Sequence, residues 1–445
     1  MAAGPQIRTL IRHATILTMN DALDIVHGAV SVRDGRIESI GDEPSGAHDT
    51  VIDARGAYLL PGFIQTHVHL CQTLFRGCAD DLTLLDWLRR RVWPMEAAHT
   101  PATLRASTRL AAAELVLTGT TTALTMETVH DTDVVFEALE AFGLRAVVGK
   151  CMMDSDQQAP KRLLEPTRAS IDESVALRKR WDGRANGRLR AAFAPRFAVS
   201  CSRELLEAVA DLSSRDRVIV HTHASENRDE VDVVRRLSGG LSNLEYLADI
   251  GLATRHLCAA HCVWVSDAEQ ALLAERDVKV MHCPSSNLKL GSGLAPVIEM
   301  RARGISVSLG ADGAACNNRL DMFEEMRLAA TLQAVRKQPG LLTARDAVWM
   351  ATREGARALG LDDIGAIEPG KRADLILVER DRPHLAPDAD PYSTLVYAAR
   401  GTDVRMTMVD GAVLVRDFQL VNEDVAAITA DARAASASLM ARAGV

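Results

Sequence analysis

Two histidines, His67 and His69, are separated by one residue at the end of a short apolar run, "LPGFIQTHVH". On an extended chain alternate side chains point to the same face, so both imidazoles face one side. Such a pair can supply two nitrogen ligands to a divalent metal ion. Because paired histidines also occur as ordinary polar or core residues, the rest of the chain has to decide between these interpretations.

Further candidate ligands and proton-transfer groups lie at the C-terminal ends of four other apolar runs. They are His223 and Glu226 in "HTHASEN", His261 in "AAHCVW", His282 in "MHCPSSN" and Asp312 in "LGADGA". Each residue alone could be a hydrogen-bonded loop residue, but their joint placement at successive run ends indicates a site. Together His67, His69, His223 and Asp312 form a nitrogen and oxygen set suited to zinc or iron(II), with a position left for water.

The elements that must position these residues are eight short β-rich runs between about residues 59 and 360, alternating with longer amphipathic or Ala-rich stretches. Buried parallel strands covered by helices have this pattern, and eight units predict a (β/α)8 barrel with its chemistry at the strand C-termini. Residues 1–58 and 362–445 show short alternating segments instead, so both chain ends are expected to form a small β-sandwich beside the barrel of residues 59–361. The Ala-rich tail from Val421 is expected to be helical.

Composition excludes several classes of protein. The 445 residues are 47% hydrophobic and 25% charged, which is ordinary for a globular chain, and no apolar run is long enough for a membrane span. A net charge of -8 argues against a nucleic-acid partner and favours a small-molecule substrate. Eight cysteines without paired spacing and an N-terminus unlike a secretory signal predict a cytoplasmic location.

Several motifs carry a family resemblance over nearly the whole chain. The segments "PGFIQTHVH", "HTHASENRDEV", "HCPSSNLKLGSGLAPV", "LGADGAACNN" and "IEPGKRADLILV" resemble the amidohydrolase superfamily, in particular its mononuclear aminohydrolase branch. The resemblance implies a distorted (β/α)8 TIM barrel with a β-sandwich from both termini, and a homo-oligomer, either dimer or tetramer. It also implies one divalent metal ion, Zn²⁺ or alternatively Fe²⁺, held by His67, His69, His223 and Asp312.

Two choices within this assignment rest on the family pattern. His221 lies on the same face as His223, but only His223 and Glu226 satisfy the His-x-x-Glu spacing. The fourth run, "RLRAAFAPRFAVS", lacks the lysine of binuclear relatives, so a single metal ion is predicted.

The side chains around the predicted ligands suggest how an aminopurine could be deaminated. Asp312 can accept a proton from water, Glu226 can protonate a ring nitrogen, and His261 can polarise the attacking oxygen. Ammonia then leaves. His282 is expected to give a supporting hydrogen bond near the metal, and Lys150 to be a solvated or substrate-facing cation.

The substrate signals are mixed. The segment "LFRGCADDLTLLDWLRRRVWPMEA" resembles deaminases of S-adenosylhomocysteine, methylthioadenosine or 5'-deoxyadenosine. By that resemblance Glu96 binds ribose hydroxyls, Trp87 packs beside the ligand unless it is a core residue, and Arg162 meets a homocysteine carboxylate. The motif "PRF" instead resembles guanine deaminase, in which this arginine, here Arg196, contacts the purine.

We therefore expect an adenosine-type substrate first, guanine second and a chloro- or amino-triazine third. Two other classes are a cyclic amidase, whose usual lysine-bridged metal pair is missing from the motifs, and a catalytically dead scaffold, which would have lost metal ligands that this chain keeps.

Overall fold

The computed structural model describes residues 8–155 and 158–445. Strands from both chain ends build one nine-stranded sheet, formed by β1 (Arg8–Leu17), β2 (Ile25–Arg33), β3 (Arg36–Gly41), β4 (Thr50–Asp53), β5 (Tyr58–Pro61), β15 (Leu375–Val378), β16 (Val404–Val409), β17 (Ala412–Arg416) and β18 (Gln419–Leu420). Their order is β18-β17-β16-β15-β5-β1-β2-β3, with β4 paired to β1. Both chain ends contribute to its core, for example Ile16 and Met408. The exact division at residues 58 and 361 stays a prediction.

A second sheet consists of nine parallel segments, which are β6 (Phe63–His69), β7 (Thr120–Met126), β8 (Arg145–Met152), β9 (Leu189–Pro195), β10 (Val220–Ala224), β11 (Leu257–His261), β12 (Lys279–His282), β13 (Val307–Leu309) and β14 (Asp312–Gly313). The last two segments are pieces of the predicted eighth run. Since β13 pairs with β12 and β14 pairs with β6, the ring is closed. The predicted distorted (β/α)8 barrel is confirmed.

Closure of the barrel depends on a glycine between the two pieces of the eighth run. A Cβ atom on Gly310 would lie 2.6 Å from the carbonyl oxygen and 2.7 Å from the amide nitrogen of His67. Only a residue without a side chain permits this approach. Gly310 thus brings the strand end that carries Asp312 against the strand that carries His67 and His69.

Helices cover the barrel from outside and connect its strands, as expected for parallel strands that are buried on both faces. They are α1 (Leu84–Trp87), α2 (Trp93–Ala97), α3 (Pro101–Leu117), α4 (Thr132–Phe142), α5 (Thr167–Trp181), α6 (Arg184–Gly187), α7 (Arg203–Asp216), α8 (Arg228–Leu237), α9 (Asn243–Asp249), α10 (Asp267–Glu275), α11 (Pro284–Lys289), α12 (Val297–Ala302), α13 (Met322–Arg336), α14 (Ala344–Ala351), α15 (Arg353–Ala358), α16 (Pro391–Ser393) and α17 (Val425–Ala443). Among the described residues, none of these helices has both the length and the hydropathy to cross a membrane.

The segment after β6 contains consecutive short helices. A 3₁₀ turn, Leu70–Phe75, follows the strand, and the wider turn Leu88–Val92 joins α1 directly to α2. The C-terminal helix α17 packs on this segment, since Leu439 and Trp87 belong to one buried cluster. The last element of the chain therefore contacts the segment that follows the first barrel strand.

Candidate active site

The four side chains predicted as metal ligands lie together at the carboxyl end of the barrel. His67, His69, His223 and Asp312 each offer a ligand atom, and these atoms all lie within 4.8 Å of one another. One oxygen of Asp312 lies 3.3 Å from Nε2 of His67 and 3.2 Å from Nε2 of His69. The cluster is built from the paired strands β6 and β14 and from β10, which lies several strands away around the barrel.

Hydrogen bonds behind the cluster fix the orientation of its imidazoles. His69 Nδ1 donates to the carbonyl oxygen of Met126 at 2.8 Å, and His223 Nδ1 donates to that of Arg196 at 2.7 Å. Because a carbonyl only accepts, both protons lie on Nδ1 and both Nε2 atoms are left for a ligand. His67 Nδ1 lies 2.7 Å from Nε2 of His221, so His221 stands behind His67 rather than within the cluster.

This donor set fits a divalent metal ion. The Nε2 atoms of His69 and His223 are 3.2 Å apart, and two lone pairs at that distance need a shared cation, either a proton or a metal ion. Nε2 of His67 has no hydrogen-bond partner within the described residues, although its side chain is fully buried. Two or three imidazoles with one carboxylate are typical ligands of zinc and related metals.

Burial and the Asp312 carboxylate set the charge of the cluster. Burial lowers the pKa of His67 to about 4 and that of His223 well below its usual range, so both rings are neutral at pH 7. Burial also disfavours the charged form of His69, but Asp312 raises the pKa of His69 overall. Burial opposes ionisation of Asp312 as well, yet the adjacent imidazoles of His67 and His69 hold its pKa well below normal.

The predicted proton-transfer groups lie beside this cluster. Oε2 of Glu226 is 3.5 Å from Nε2 of His261, and its other oxygen accepts a 3.3 Å hydrogen bond from Ser292. Burial raises the pKa of Glu226 to about 7, which suits a group that takes up and returns a proton near neutral pH. His261 Nδ1 lies 2.9 Å from Oδ1 of Asn287, and its Nε2 is 3.9 Å from Asp312.

Backbone strain is present at the same strand ends. Ser225, His261 and Asp312 have φ angles of 53°, 72° and 61°, in the left-handed region that residues other than glycine rarely adopt. Such conformations cost on the order of 1–3 kcal/mol each and cluster at functional sites. Their occurrence at the ends of β10 and β11 and at the start of β14 marks the carboxyl face of the barrel as specialised.

A small cavity of about 20 Å³ adjoins the cluster. Trp87 and Arg196 line it, together with His69, Glu226 and Asp312. This volume holds about one water molecule. A nucleoside is far larger than this volume, and Leu84, Trp87 and Leu88 form part of the lining.

Glu96 and Arg196, predicted for substrate recognition, form a buried ion pair with each other. The guanidinium donates to both carboxylate oxygens at 2.6 and 3.2 Å, and the exposed fractions of the two side chains are 1% and 5%. Gln72 adds a 3.0 Å hydrogen bond to Glu96. Arg162 lies elsewhere, because it is exposed and donates to the carbonyl oxygen of His99 at 3.3 Å.

One expectation from the sequence is wrong, and another stays a prediction. Lys150 is neither solvated nor substrate-facing, because its side chain is 1% exposed and is paired with Glu165 and Glu173. A buried ammonium needs such partners to offset its lost hydration. Neither ring nitrogen of His282 has a hydrogen-bond partner among the described residues, and burial lowers its pKa to about 3. Its supporting role near a metal ion stays a prediction.

Glu127 is a buried carboxyl group beside the site that the sequence analysis missed. It follows β7 and accepts hydrogen bonds from the backbone N–H groups of Leu70 at 3.4 Å and Cys71 at 3.0 Å. Burial raises its pKa to about 7. It thereby holds the turn directly after His69. Its position at the end of a predicted strand was the signal that could have identified it.

Comparison with known proteins agrees with this geometry. Residues 58–414 match the amidohydrolase family. The chain is 40% identical to a 5'-deoxyadenosine deaminase of Methanosarcina acetivorans, over 98% of this chain and 99% of that one. It is also 40% identical to a 5-methylthioadenosine/S-adenosylhomocysteine deaminase of Symbiobacterium thermophilum, over 97% and 99% of the two chains.

A solved structure shows the same architecture. An adenosine deaminase from Xanthomonas campestris with bound zinc is similar at a TM-score of 0.91 and 32% identity, over 98% of this chain and 99% of that one. The chain therefore belongs to the amidohydrolase family. Its four-ligand cluster supports a divalent metal ion.

Proposed function

We propose that the protein is a metal-dependent deaminase that releases ammonia from an adenosine-type nucleoside. The observation that carries the proposal is the convergence of His67, His69, His223 and Asp312 with the buried Glu226 at one end of the barrel. The candidate substrates are 5'-deoxyadenosine, methylthioadenosine and S-adenosylhomocysteine, which relatives at 40% identity are named for. Guanine and triazines are less supported alternatives.

Zn²⁺ is the proposed ion, with Fe²⁺ as the alternative. His67, His69, His223 and Asp312 would hold it. When bound, such an ion acts as a Lewis acid and lowers the pKa of a water molecule from 15.7 to about 7.

The chain's own residues then divide the proton transfers between them. Asp312 has a low pKa and an oxygen that accepts from Ser286 at 2.6 Å, so it is ionised and ready to receive a proton from water. Glu226, with a pKa of about 7, is partly protonated at neutral pH and can deliver its proton to a ring nitrogen. His261 lies between these two carboxylates, 3.5 and 3.9 Å away, where its Nε2 can orient the attacking oxygen.

Substrate recognition is assigned to Trp87 and to the pair formed by Glu96 and Arg196. A carboxylate held by a guanidinium is oriented to accept hydrogen bonds from ribose hydroxyls, and the guanidinium can donate to a purine edge. Arg162 is exposed and lies outside the cavity lining, so its contact with a substrate carboxylate stays a prediction. A homo-oligomer and a cytoplasmic location remain predictions.

The test compares ammonia release from 5'-deoxyadenosine, methylthioadenosine, guanine and a triazine. We expect the better adenosine derivative to exceed guanine in kcat/KM by at least about tenfold, or roughly 1.4 kcal/mol. Glu96→Ala should lower kcat/KM for nucleosides only, whereas Arg196→Ala should lower kcat/KM for both nucleosides and guanine. Glu207→Ala, an exposed substitution, is the control. Faster guanine turnover by the unmodified enzyme, unaffected by Glu96→Ala, would exclude the adenosine-type assignment.

A further inference from the structure

Four successive barrel strands begin with a cation at the end of the barrel opposite to the metal-ligand cluster. Arg190 is the second residue of β9, Arg217 and Arg255 lie just before β10 and β11, and Lys279 is the first residue of β12. The parallel register places Val220 beside Leu257 and Cys258 beside Lys279. Since neighbouring strands lie about 4.8 Å apart, the four cations follow one another along the amino-terminal edge.

These cations line a cavity of about 690 Å³. Its lining contains six cationic side chains and two carboxylates, which are Arg178, Arg190, Arg217, Arg255, Lys279 and Arg357 against Asp182 and Asp216. Val218, Ile219 and Leu359 supply an apolar part of the wall. A concentration of positive charge of this kind is unusual in a chain whose net charge is -8.

The carboxylates around the cavity already have partners. Asp216 accepts hydrogen bonds from Arg178 at 2.6 Å and from Arg215 at 2.8 Å. Asp182 accepts from the backbone N–H of Ala191 at 3.2 Å. Beyond the lining itself, Asp277 pairs with Lys279 and Asp21 pairs with Arg357.

Two of the guanidinium groups in the lining have no carboxylate partner among the described residues. Arg217 and Arg255 are exposed and make no ion pair or side-chain hydrogen bond within the described residues. His256 also lines the cavity. Burial lowers its pKa, and the positive charges of Arg255, Arg217 and Lys279 lower it further. The edge therefore carries positive charge that the chain itself does not neutralise.

We propose that this cavity binds a small molecule carrying a diphosphate or triphosphate group, for which a nucleoside diphosphate is the best match. Guanidinium groups bind phosphate oxygens with paired hydrogen bonds, and several in a row match a phosphate chain. The apolar wall can contact the remainder of such a ligand, and the volume is within the usual range for ligand sites. The proposal does not rest on the deaminase assignment, because the two sites lie at opposite ends of the barrel.

Isothermal titration calorimetry on the full-length, zinc-loaded protein tests this site. ADP, pyrophosphate and inorganic phosphate are titrated in separate experiments, and variants of the cavity arginines show whether the binding occurs in this cavity. We expect ADP and pyrophosphate to bind, and the variant Arg217→Gln/Arg255→Gln to weaken both at least about tenfold. The control Arg416→Gln/Arg433→Gln removes two exposed arginines that also lack ion pairs, and should change affinity less than about twofold.

Loss of phosphate binding can be distinguished from unfolding, because replacing exposed, unpaired arginines usually changes the free energy of unfolding by no more than about 0.5 kcal/mol. Both double variants should keep the wild-type melting temperature and deaminase rate without ADP. Tighter binding of ADP than of pyrophosphate supports a nucleoside ligand, and equal binding supports a phosphate chain alone. The proposal is overturned by no ADP binding up to millimolar concentration, by equal weakening in both variants, by unchanged affinity in Arg217→Gln/Arg255→Gln, or by phosphate binding as tightly as pyrophosphate.

Discussion

Breaking the buried ion pair between Glu96 and Arg196 should have unequal consequences for its two members. Glu96→Gln leaves a guanidinium whose side chain is only 5% exposed, and a guanidinium stays charged at any accessible pH. Arg196→Met leaves a buried carboxyl group, which can take up a proton and still accepts a hydrogen bond from Gln72. We therefore expect Glu96→Gln to be the more destabilising change.

The magnitude follows from the burial of the pair and its two hydrogen bonds of 2.6 and 3.2 Å. Removing one member of a buried pair costs about 3–5 kcal/mol, so Glu96→Gln should lose that much free energy of unfolding. Arg196→Met should lose less, and its loss should be smaller at lower pH. An unpaired buried carboxyl group binds its proton more tightly in the native state than in the unfolded state. The free energy of unfolding of this variant therefore decreases as the pH rises.

The assay is urea unfolding of the two single variants and of Glu96→Gln/Arg196→Met, followed by two spectroscopic probes to check that the transitions coincide. We expect a coupling energy of at least about 2 kcal/mol. The matched control is the exposed pair of Arg168 and Asp172, 2.9 Å apart, for which about 0.3–0.5 kcal/mol is expected. A coupling below about 0.5 kcal/mol for the buried pair, or a larger cost for Arg196→Met than for Glu96→Gln, would refute the reasoning.

Four further predictions concern the metal-ligand cluster and Glu226 beside it. His67→Ala should lose most bound metal in elemental analysis, because one of four ligands is gone; full occupancy would mean that the site is misassigned. His221→Phe should lower metal affinity by about 10–100-fold in a chelator competition, since the 2.7 Å contact to His67 is removed, and unchanged affinity would deny His221 this role. Glu226→Gln should keep its metal but lose on the order of 10² to 10⁴ in turnover. In the unmodified enzyme, kcat/KM should fall as the pH rises through about 7, where Glu226 loses its proton; the same slope in Glu226→Gln would contradict this assignment.

The sequence allowed the metal-ligand cluster to be predicted because its members follow local rules. The alternation of His67 and His69 is a property of any extended strand, and the ends of parallel strands meet at one edge of a barrel. His223 could be separated from His221 only through the family resemblance, whose His-x-x-Glu pattern fits His223 and Glu226. None of these inferences required knowledge of how distant helices pack.

Contacts that depend on such packing could not be predicted. Glu96 and Arg196 are 100 residues apart and meet only because the helical segment after β6 lies over the end of β9. The buried ammonium of Lys150 pairs with the carboxylate of Glu165, which lies in a loop 15 residues further along the chain. The hydrophobic periodicity of the sequence does not indicate this contact. Side-chain burial at these positions is decided by tertiary structure rather than by local pattern.

The C-terminal helix α17 makes the end of the chain part of the wall behind the site. Ser436 donates to the carbonyl oxygen of Leu74 at 2.9 Å, and Arg442 donates to that of Ala98 at 3.0 Å, so the helix bridges both ends of the segment that carries Trp87 and Glu96. A purification tag fused after Val445 would therefore begin close to the segment that carries Trp87 and Glu96. Shortening the chain before Val425 would expose the back of that segment and disturb nucleoside affinity, while the metal ligands on the barrel strands kept their positions.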